Sequence, residues 1–334
     1  MATYLGTHGG RIQNYTTNPD NPNTGEVWYN ATANTIKIEA VTTSGAWATG
    51  STLNSARRDH GGNGTYTSAL MYGGYTSTYV TLTESWNGTN WTEVNDLNQT
   101  KNSLSGAGAD NTAAIAVGGF YTPPSQHFGN TELWNGTNWT EVNDLNTARY
   151  ALGATGTSTA AIATGGNIPP NASTAVNESW NGTNWTEVND LNTARESSIA
   201  ANTGTQTAAL FAGGQKGNPP PNVNTADVES WNGTNWTEVN NLNQLRSYVG
   251  NAGTQTSALA YGGDIPPRTA LTEEWNGTNW TEVADLNTGR DKHSSPGTTT
   301  NALAVGGYDG SNNVANAEEW TGAGAPLAKT ISTD

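Results

Sequence analysis

Apolar residues fall in short runs along this chain, and no stretch carries a sustained helical period. Runs of about four to seven residues bounded by Gly, Asn, Thr and Pro read as strands separated by tight turns. One stretch shows the pattern. Residues 149–155 predict a strand (a), 156–159 a turn, and 160–166 a second strand (b) ending in Gly165-Gly166. Residues 167–174 follow as a loop, 175–180 as a third strand (c), Asn181-Gly182 as a turn and 184–189 as a fourth strand (d). Asn-Gly marks a hairpin because both residues accept positive φ, and the Thr-Asn that follows leaves a four-residue loop open.

This four-strand phrase repeats. Its loudest part is Trp-Asn-Gly-Thr-Asn-Trp-Thr-Glu-Val-Asn-Asp-Leu-Asn, unchanged at 86–98, 134–146 and 180–192. It recurs with Asn241 for Asp at 231–243 and with Ala284 for Asn at 275–287, and is cut short at 319–322. Gly-Gly pairs at 73, 118, 165, 213, 262 and 306 alternate with the first Trp at 86, 134, 180, 231, 275 and 320. Both series count six, and a fixed period near 45 residues is the mark of a repeat architecture. An all-β, six-bladed β-propeller with four antiparallel strands per blade is predicted. Small residues in strands a and b suit the crowded axis, and the Trp pairs in c and d suit the wider spaces between sheets.

The ends are out of phase. Residues 47–57 match the second half of a repeat, while the last repeat stops after its third strand. We expect 47–53 to complete the sixth blade, closing the sheet array and removing its edges. Residues 1–45 form an N-terminal extension with a hairpin of strands 26–30 and 34–39. Residues 46–321 are the propeller and 322–334 a tail, of which 328–332 is a candidate partner for the hairpin.

The order Leu-Asn-x-x-Arg, apolar strand, Gly-Gly, loop, Glu-x-Trp and final Trp resembles the kelch repeat over about residues 47–321. Kelch usually has Tyr at the first Trp and Pro before the Arg where this chain has Asn. The near-identical blades and the N-terminal Gly10-Arg11-Ile12-Gln13-Asn14 and Gly25-Glu26-Val27-Trp28-Tyr29-Asn30 also resemble structural, tail-associated proteins of marine bacteriophages, especially cyanophages. Fold follows from the first resemblance more firmly than function, since propellers host unrelated activities.

Charge narrows the partners. The 334 residues carry 13 basic and 28 acidic side chains, a net charge of −15. That argues against nucleic acid, which demands a basic stripe, and against adsorption to anionic membranes. No apolar run is long enough for membrane insertion, and no signal peptide is visible at the N-terminus. The absence of cysteine excludes thiol chemistry, disulfides and Cys-based metal sites.

Most repeated residues have structural readings. Eleven of the 13 Trp belong to the repeat, and blade-to-blade packing outweighs sugar stacking for them. Each buries about 150–250 Å², worth up to roughly 4–6 kcal/mol before entropy. The Glu of Trp-Thr-Glu-Val and of Glu-x-Trp make repeated rings, read as a solvated face or cross-strand polar contacts; a glycosidase needs one distinct pair. Arg57, Arg149, Arg195, Arg246 and Arg290, with Lys101 at the sixth place, precede strand a. An anionic ligand is one reading for them. Structural bonds to turn carbonyls or to Asp96, Asp144, Asp190 and Asp285 are the favoured one. No cofactor or metal site is expected. His8 and His127 stand alone, a metal shared by His60 and His293 is a minor reading, 309–313 is a turn without the Glu of a calcium loop, and the Asn-x-Thr sequons are turn residues.

Diversity sits in the b–c loops, 75–83, 120–131, 167–177, 215–228, 264–272 and 308–317. Several carry Pro pairs (Pro123-Pro124, Pro169-Pro170, Pro266-Pro267, and Pro219-Pro220-Pro221), which stiffen an exposed loop. Up-down connectivity puts these loops and the d–a links on one face. Tyr75, Tyr79, Phe120, Tyr121, His127, Phe128, Arg268 and Tyr308 are the contact-type residues there, with neutral drift of tolerant loops as the competing explanation. The expected function is a non-enzymatic virion protein, on the particle surface after assembly in the host cytoplasm. Its loop face would contact a host-surface glycan or protein, and its extension other virion proteins; oligomers fit this role. Alternatives are a decoration protein that binds only virion proteins, and a carbohydrate-active enzyme. Against the enzyme, the galactose-oxidase type lacks its cysteine here and the sialidase type lacks a clear Arg/Tyr/Glu set.

Overall fold

The computed structural model describes residues 12–19, 26–41, 44–196, 204–217, 223–323 and 326–330, with backbone alone at 39–41 and 326–330. His8, Gly10-Arg11 and Pro219-Pro220-Pro221 lie outside the described residues. The described residues are all β, with no helix, and the strands pair mostly antiparallel.

The chain divides into two compact parts, 1–45 with 321–334, and Ala46–Trp320. In the first, Val27–Asn30 and Thr35–Val41 form an antiparallel hairpin. Pro326–Thr330 pairs antiparallel with the second strand, Leu327 opposite Ala40. Gln13–Tyr15 adds a parallel strand beside Val27–Asn30.

The second part holds six sheets, one per sequence repeat, here called units. In unit 3, strands a to d are Gly153–Gly156, Ala161–Thr164, Asn177–Trp180 and Trp185–Val188, hydrogen-bonded in that order. Strand a is shorter than its pattern, because 149–152 run as irregular backbone before the ladder begins. Units 1, 2 and 5 have the same four-strand order; unit 4 shows strands b, c and d. In the sixth sheet Ala46–Thr52 lies beside Asn316–Thr321, which lies beside Asn301–Val305. Two-residue strand pairs also stand in the b–c loops, such as Phe120–Tyr121 with Gln126–His127.

The c–d hairpin is built by its sequence. Trp86 pairs with Trp91, leaving a four-residue loop. The Asn87 side-chain oxygen accepts from the amides of Thr89 and Asn90 at 2.9 and 2.8 Å, and Gly88 adopts φ +88°. The two Trp rings then lie 5.2 Å apart. The first Trp of each pair donates to its own a–b turn, as Trp86 does to the Tyr66 carbonyl at 2.7 Å. In four units the second reaches back one unit: Trp139 donates to Thr83, Trp185 to Thr131, Trp280 to the Asn240 carbonyl and Trp47 to Thr272, whereas Trp91 and Trp236 find no acceptor among the described residues. All 13 Trp are buried. Apolar clusters accordingly cross from unit to unit, as where Leu70 and Tyr72 of unit 1 meet Ala114, Trp134 and Trp139 of unit 2.

A second joint is polar. The Glu of Glu-x-Trp is buried, contrary to the solvated-face reading, whereas the Glu of Trp-Thr-Glu-Val is exposed. Glu132 of unit 2 accepts from the amide and side chain of Asn98, which follows strand d of unit 1. Glu178, Glu229, Glu273 and Glu318 hold Asn146, Asn192, Asn243 and Asn287 in the same way, and Glu84 of unit 1 holds Asn54.

A third link is made of backbone alone. Asp59, Ser103, Ala151, Tyr248 and Lys292, each two places after the repeated Arg or Lys, all lie in the left-handed region, with φ of 50° to 57°. The Asp59 amide donates to the Lys292 carbonyl at 3.0 Å, Ser103 to Asp59 at 2.7 Å and Ala151 to Ser103 at 2.8 Å.

Candidate functional site

The repeated Arg residues do not form an open anion site. Arg57, Arg149, Arg195, Arg246 and Arg290 are wholly buried. Four pair with Glu84, Glu229, Glu273 and Glu318 at 2.5, 2.7, 2.9 and 2.6 Å, and Arg149 pairs with Glu178. In Arg149 and Arg195 the other end of the fork donates to strand b, to the Ala163 carbonyl at 2.9 Å and the Phe211 carbonyl at 3.1 Å. Burial pulls each guanidinium pKa down and the Glu opposes it. A dissolved ligand cannot reach them. The structural reading holds, with the Glu-x-Trp carboxylate as main partner in place of the Asp or turn carbonyls expected. Lys101 takes the sixth place, 3.4 Å from Glu132.

Immediately beyond each buried cation the chain meets the b–c loop. Arg58 bridges to Tyr75, Asn102 to Phe120, Tyr150 to Asn167, Glu196 to Gln215, Ser247 to Asp264 and Asp291 to Tyr308. The residue after the Arg or Lys thus pairs with the residue after Gly-Gly in every unit, so the two variable series share one place. At the loop's root Gly73 has φ +65°, and a Cβ there would lie 2.9 Å from the Lys101 carbonyl.

Side chains from these loops form a continuous string. Tyr121 meets Tyr79 at 5.1 Å between ring centres, and Tyr79 meets Tyr75 edge-on at 5.4 Å. The Arg58 guanidinium lies 5.0 Å from the Tyr75 ring and 4.7 Å from Tyr308, and Arg268 lies 5.3 Å from Tyr308. Asn313 donates to the Tyr75 carbonyl at 3.0 Å, and Arg58 donates to Asn313 at 3.2 Å. Loops far apart in sequence are thereby tied.

Carboxylates balance these cations. Asp59 lies 3.5 Å from Arg58 and 3.6 Å from Lys292, and Arg268 lies 3.4 Å from Asp264 and 3.2 Å from Asp291. Burial pushes the Asp59 carboxyl up and the Asp291 carboxyl up to about 6. Lys292 also stands over the Tyr248 ring at 4.7 Å.

Phe120 and His127 form a second cluster with Tyr150, at 4.9 and 5.0 Å. Phe128 is a correction: it is buried, and its amide donates to the Gly119 carbonyl at 2.9 Å, so it belongs to the core and not the contact surface. Beside the tyrosine string lies a groove of about 770 Å³, lined by Tyr75, Tyr79, Gln99, Thr100, Tyr121 and Pro123 among others. Gln99 and Thr100 come from the d–a link.

His60 and His293 are both buried. His60 lies 2.9 Å from the Ser294 hydroxyl, beside a cavity of about 30 Å³ that has room for a water molecule. No group of three or more metal-ligating side chains occurs among the described residues.

Arg58, Tyr150, Tyr248, Asp291 and Lys292 were not singled out from sequence. Their signal was present: the two residues after each repeated Arg or Lys differ from unit to unit, as the b–c loops do.

No protein-family model matches the chain, and no curated protein matches it. Among solved structures it is similar to "Structure of YjhT", at 12% identity, covering 84% of this chain and 99% of that one, with a TM-score of 0.68. That likeness speaks for fold alone. It agrees with the sheets described above: the chain has an all-β, β-propeller-like fold.

Proposed function

We propose that the six sheets form one closed, kelch-like six-bladed propeller, and that the protein is a non-enzymatic binding component of a bacteriophage particle. In this reading the loop face contacts a glycan or protein on the host surface, and the N-terminal segment attaches to other virion proteins. Closure is supported by the Asn54–Glu84 and Asn287–Glu318 joints, which make the junctions at the chain ends alike to those between internal units. The placement on a particle rests on the sequence resemblance.

The observation that carries the binding role is the string Tyr121, Tyr79, Tyr75, Arg58, Tyr308 and Arg268. Aromatic and Arg side chains are the groups that dominate recognition surfaces. Here they gather from loops that differ in sequence, over a framework that hardly differs. Catalysis is disfavoured because the six buried Glu-x-Trp carboxylates recur in each unit and are held by Arg or Lys and Asn.

The test is adhesion of the fluorescently labelled full-length protein to cyanobacterial cells. Saturable binding lost in a Tyr79→Ala/Tyr308→Ala variant supports the role. Association only with phage particles, with no cell adhesion, replaces it with a decoration role.

A further inference from the structure

We propose that the groove formed by residues 75–79, 99–100 and 121–123 takes a neutral oligosaccharide; this deepens the binding role above and rests on it. The argument begins with what lines the groove. Three phenols, Pro123 and the hydroxyl or amide side chains of Ser77, Thr78, Gln99, Thr100 and Thr122 face it, and no Asp, Glu, Lys, Arg or His does. Among the described residues, none of the Tyr75, Tyr79 and Tyr121 hydroxyls, nor the Gln99 amide, is bonded within the protein. A sugar ring offers the complement: an apolar C–H face to lie on an aromatic ring and a rim of hydroxyls to exchange with phenols and amides.

The rings suit this division. Tyr75 and Tyr79 are inclined at 76° and Tyr79 and Tyr121 at 55°. One ring can therefore carry the sugar face while a neighbour presents its hydroxyl to the rim. The volume, about 770 Å³, lies within the roughly 300–1,000 Å³ that holds a small ligand.

Charge separates neutral from acidic sugars. A carboxylate or sulfate brought into the groove would be desolvated without a lining cation. Arg58, which stands against Tyr75, already has Asp59 at 3.5 Å and Asn313 as partners. The whole protein carries −15, which repels an anionic polymer. A nucleic acid could stack its bases on the tyrosines, but its phosphates would meet the same deficit.

The experiment applies the intact full-length protein to an array of neutral and acidic oligosaccharides, then titrates the best neutral hit by calorimetry. Binding to neutral glycans is expected, changing less than about twofold between about 50 and 500 mM salt. Tyr79→Ala and Tyr121→Ala should each weaken it by about tenfold or more, and Arg58→Gln by less than about twofold. Both tyrosines are partly exposed, and melting curves verify that the variants remain folded. Binding confined to acidic glycans, lost in high salt or on Arg58→Gln, overturns the neutral class and leaves the host-binding role standing. Cell adhesion that survives periodate cleavage of sugar diols, with no glycan bound on the array, overturns the oligosaccharide and points to a protein receptor. Absence of any cell adhesion defeats the underlying role as well.

Discussion

Glu84 grips Asn54 with one oxygen, accepting from its amide at 2.7 Å and from its side chain at 2.9 Å, and leaves the other oxygen to Arg57 at 2.5 Å. One carboxylate therefore holds both the Asn and the Arg of the Leu-Asn-x-x-Arg stretch, and units 3 to 6 repeat the device. Removing the carboxylate strands a buried guanidinium and an Asn together. Glu178→Ala should lower the unfolding free energy by about 3–5 kcal/mol, read by urea denaturation, whereas Glu187→Ala, on the exposed neighbouring strand, should change it by less than about 0.5 kcal/mol.

Unit 2 departs from this device. Lys101 Nζ is 3.4 Å from Glu132 and makes no hydrogen bond of good geometry. An Arg fork would reach the carboxylate and the strand b carbonyl at once, as in the other units. Lys101→Arg should raise stability by about 1 kcal/mol, seen as a higher urea midpoint at unchanged slope.

Trp47 supplies what Trp185 supplies elsewhere, though it comes from the opposite end of the chain. It donates to Thr272 at 3.1 Å and packs against Tyr261 and Trp320 at 4.7 and 5.4 Å. Trp47→Ala should cost about 3–5 kcal/mol and should deprotect amides of both 46–52 and 301–321 in hydrogen exchange. Protection lost in 46–52 alone would mean that this strand is not needed by its neighbours.

The pH dependence has opposing parts. Burial, aided by the charge of Arg57, holds His60 down at about 3, and burial holds His293 well below its ordinary value. The unfolded chain protonates these groups near pH 6.5, so their contribution is present above that value and is lost as pH falls towards 3. Asp291 runs the other way: raised to about 6, it contributes fully below its unfolded pKa, and the contribution is lost as pH rises through about 6. His293→Phe, which removes two ring nitrogens without hydrogen bonds among the described residues, should make acid destabilisation shallower by up to about 1.4 kcal/mol per pH unit below pH 6.5. Asp291→Asn should stabilise near pH 7.5 and not near pH 4. Both are read from melting temperature against pH.

Ala151 holds a left-handed backbone, φ 53°, at a place where Asp, Ser, Tyr and Lys stand in other units. A Cβ in that region costs roughly 1–2 kcal/mol, and Gly avoids the clash at some cost in unfolded-chain entropy. Ala151→Gly should stabilise by up to about 1 kcal/mol, and Ala151→Val should destabilise by more than that, both by thermal unfolding at fixed pH.

The repeat made much of this legible. The Trp pairs, the Asn-Gly hairpin and the out-of-phase strand at 47–53 follow from period and turn chemistry, which are local. The partner of Arg57 was not legible, because Glu84 lies 27 residues away and the spacing does not say which face of strand c it occupies. Phe128 misled for a related reason: it stands among loop residues, but its backbone rejoins the Gly-Gly corner and turns the ring inward. Tyr75 and Tyr308 drew notice as variable aromatics. Arg58 escaped it because it follows a constant residue, and attention to constancy hides the variation next to it. The string of contacts between them joins loops of the first and sixth units, which no single repeat encodes.

The Asn–Glu joint carries a liability during synthesis. Its chemistry is the same at every junction, so a newly made unit can be captured by the wrong neighbour with an equally good bond. What distinguishes right from wrong is the short tether between successive units. Misassembly should therefore partition kinetically, and slow release of a unit docked out of sequence would set the pace of folding.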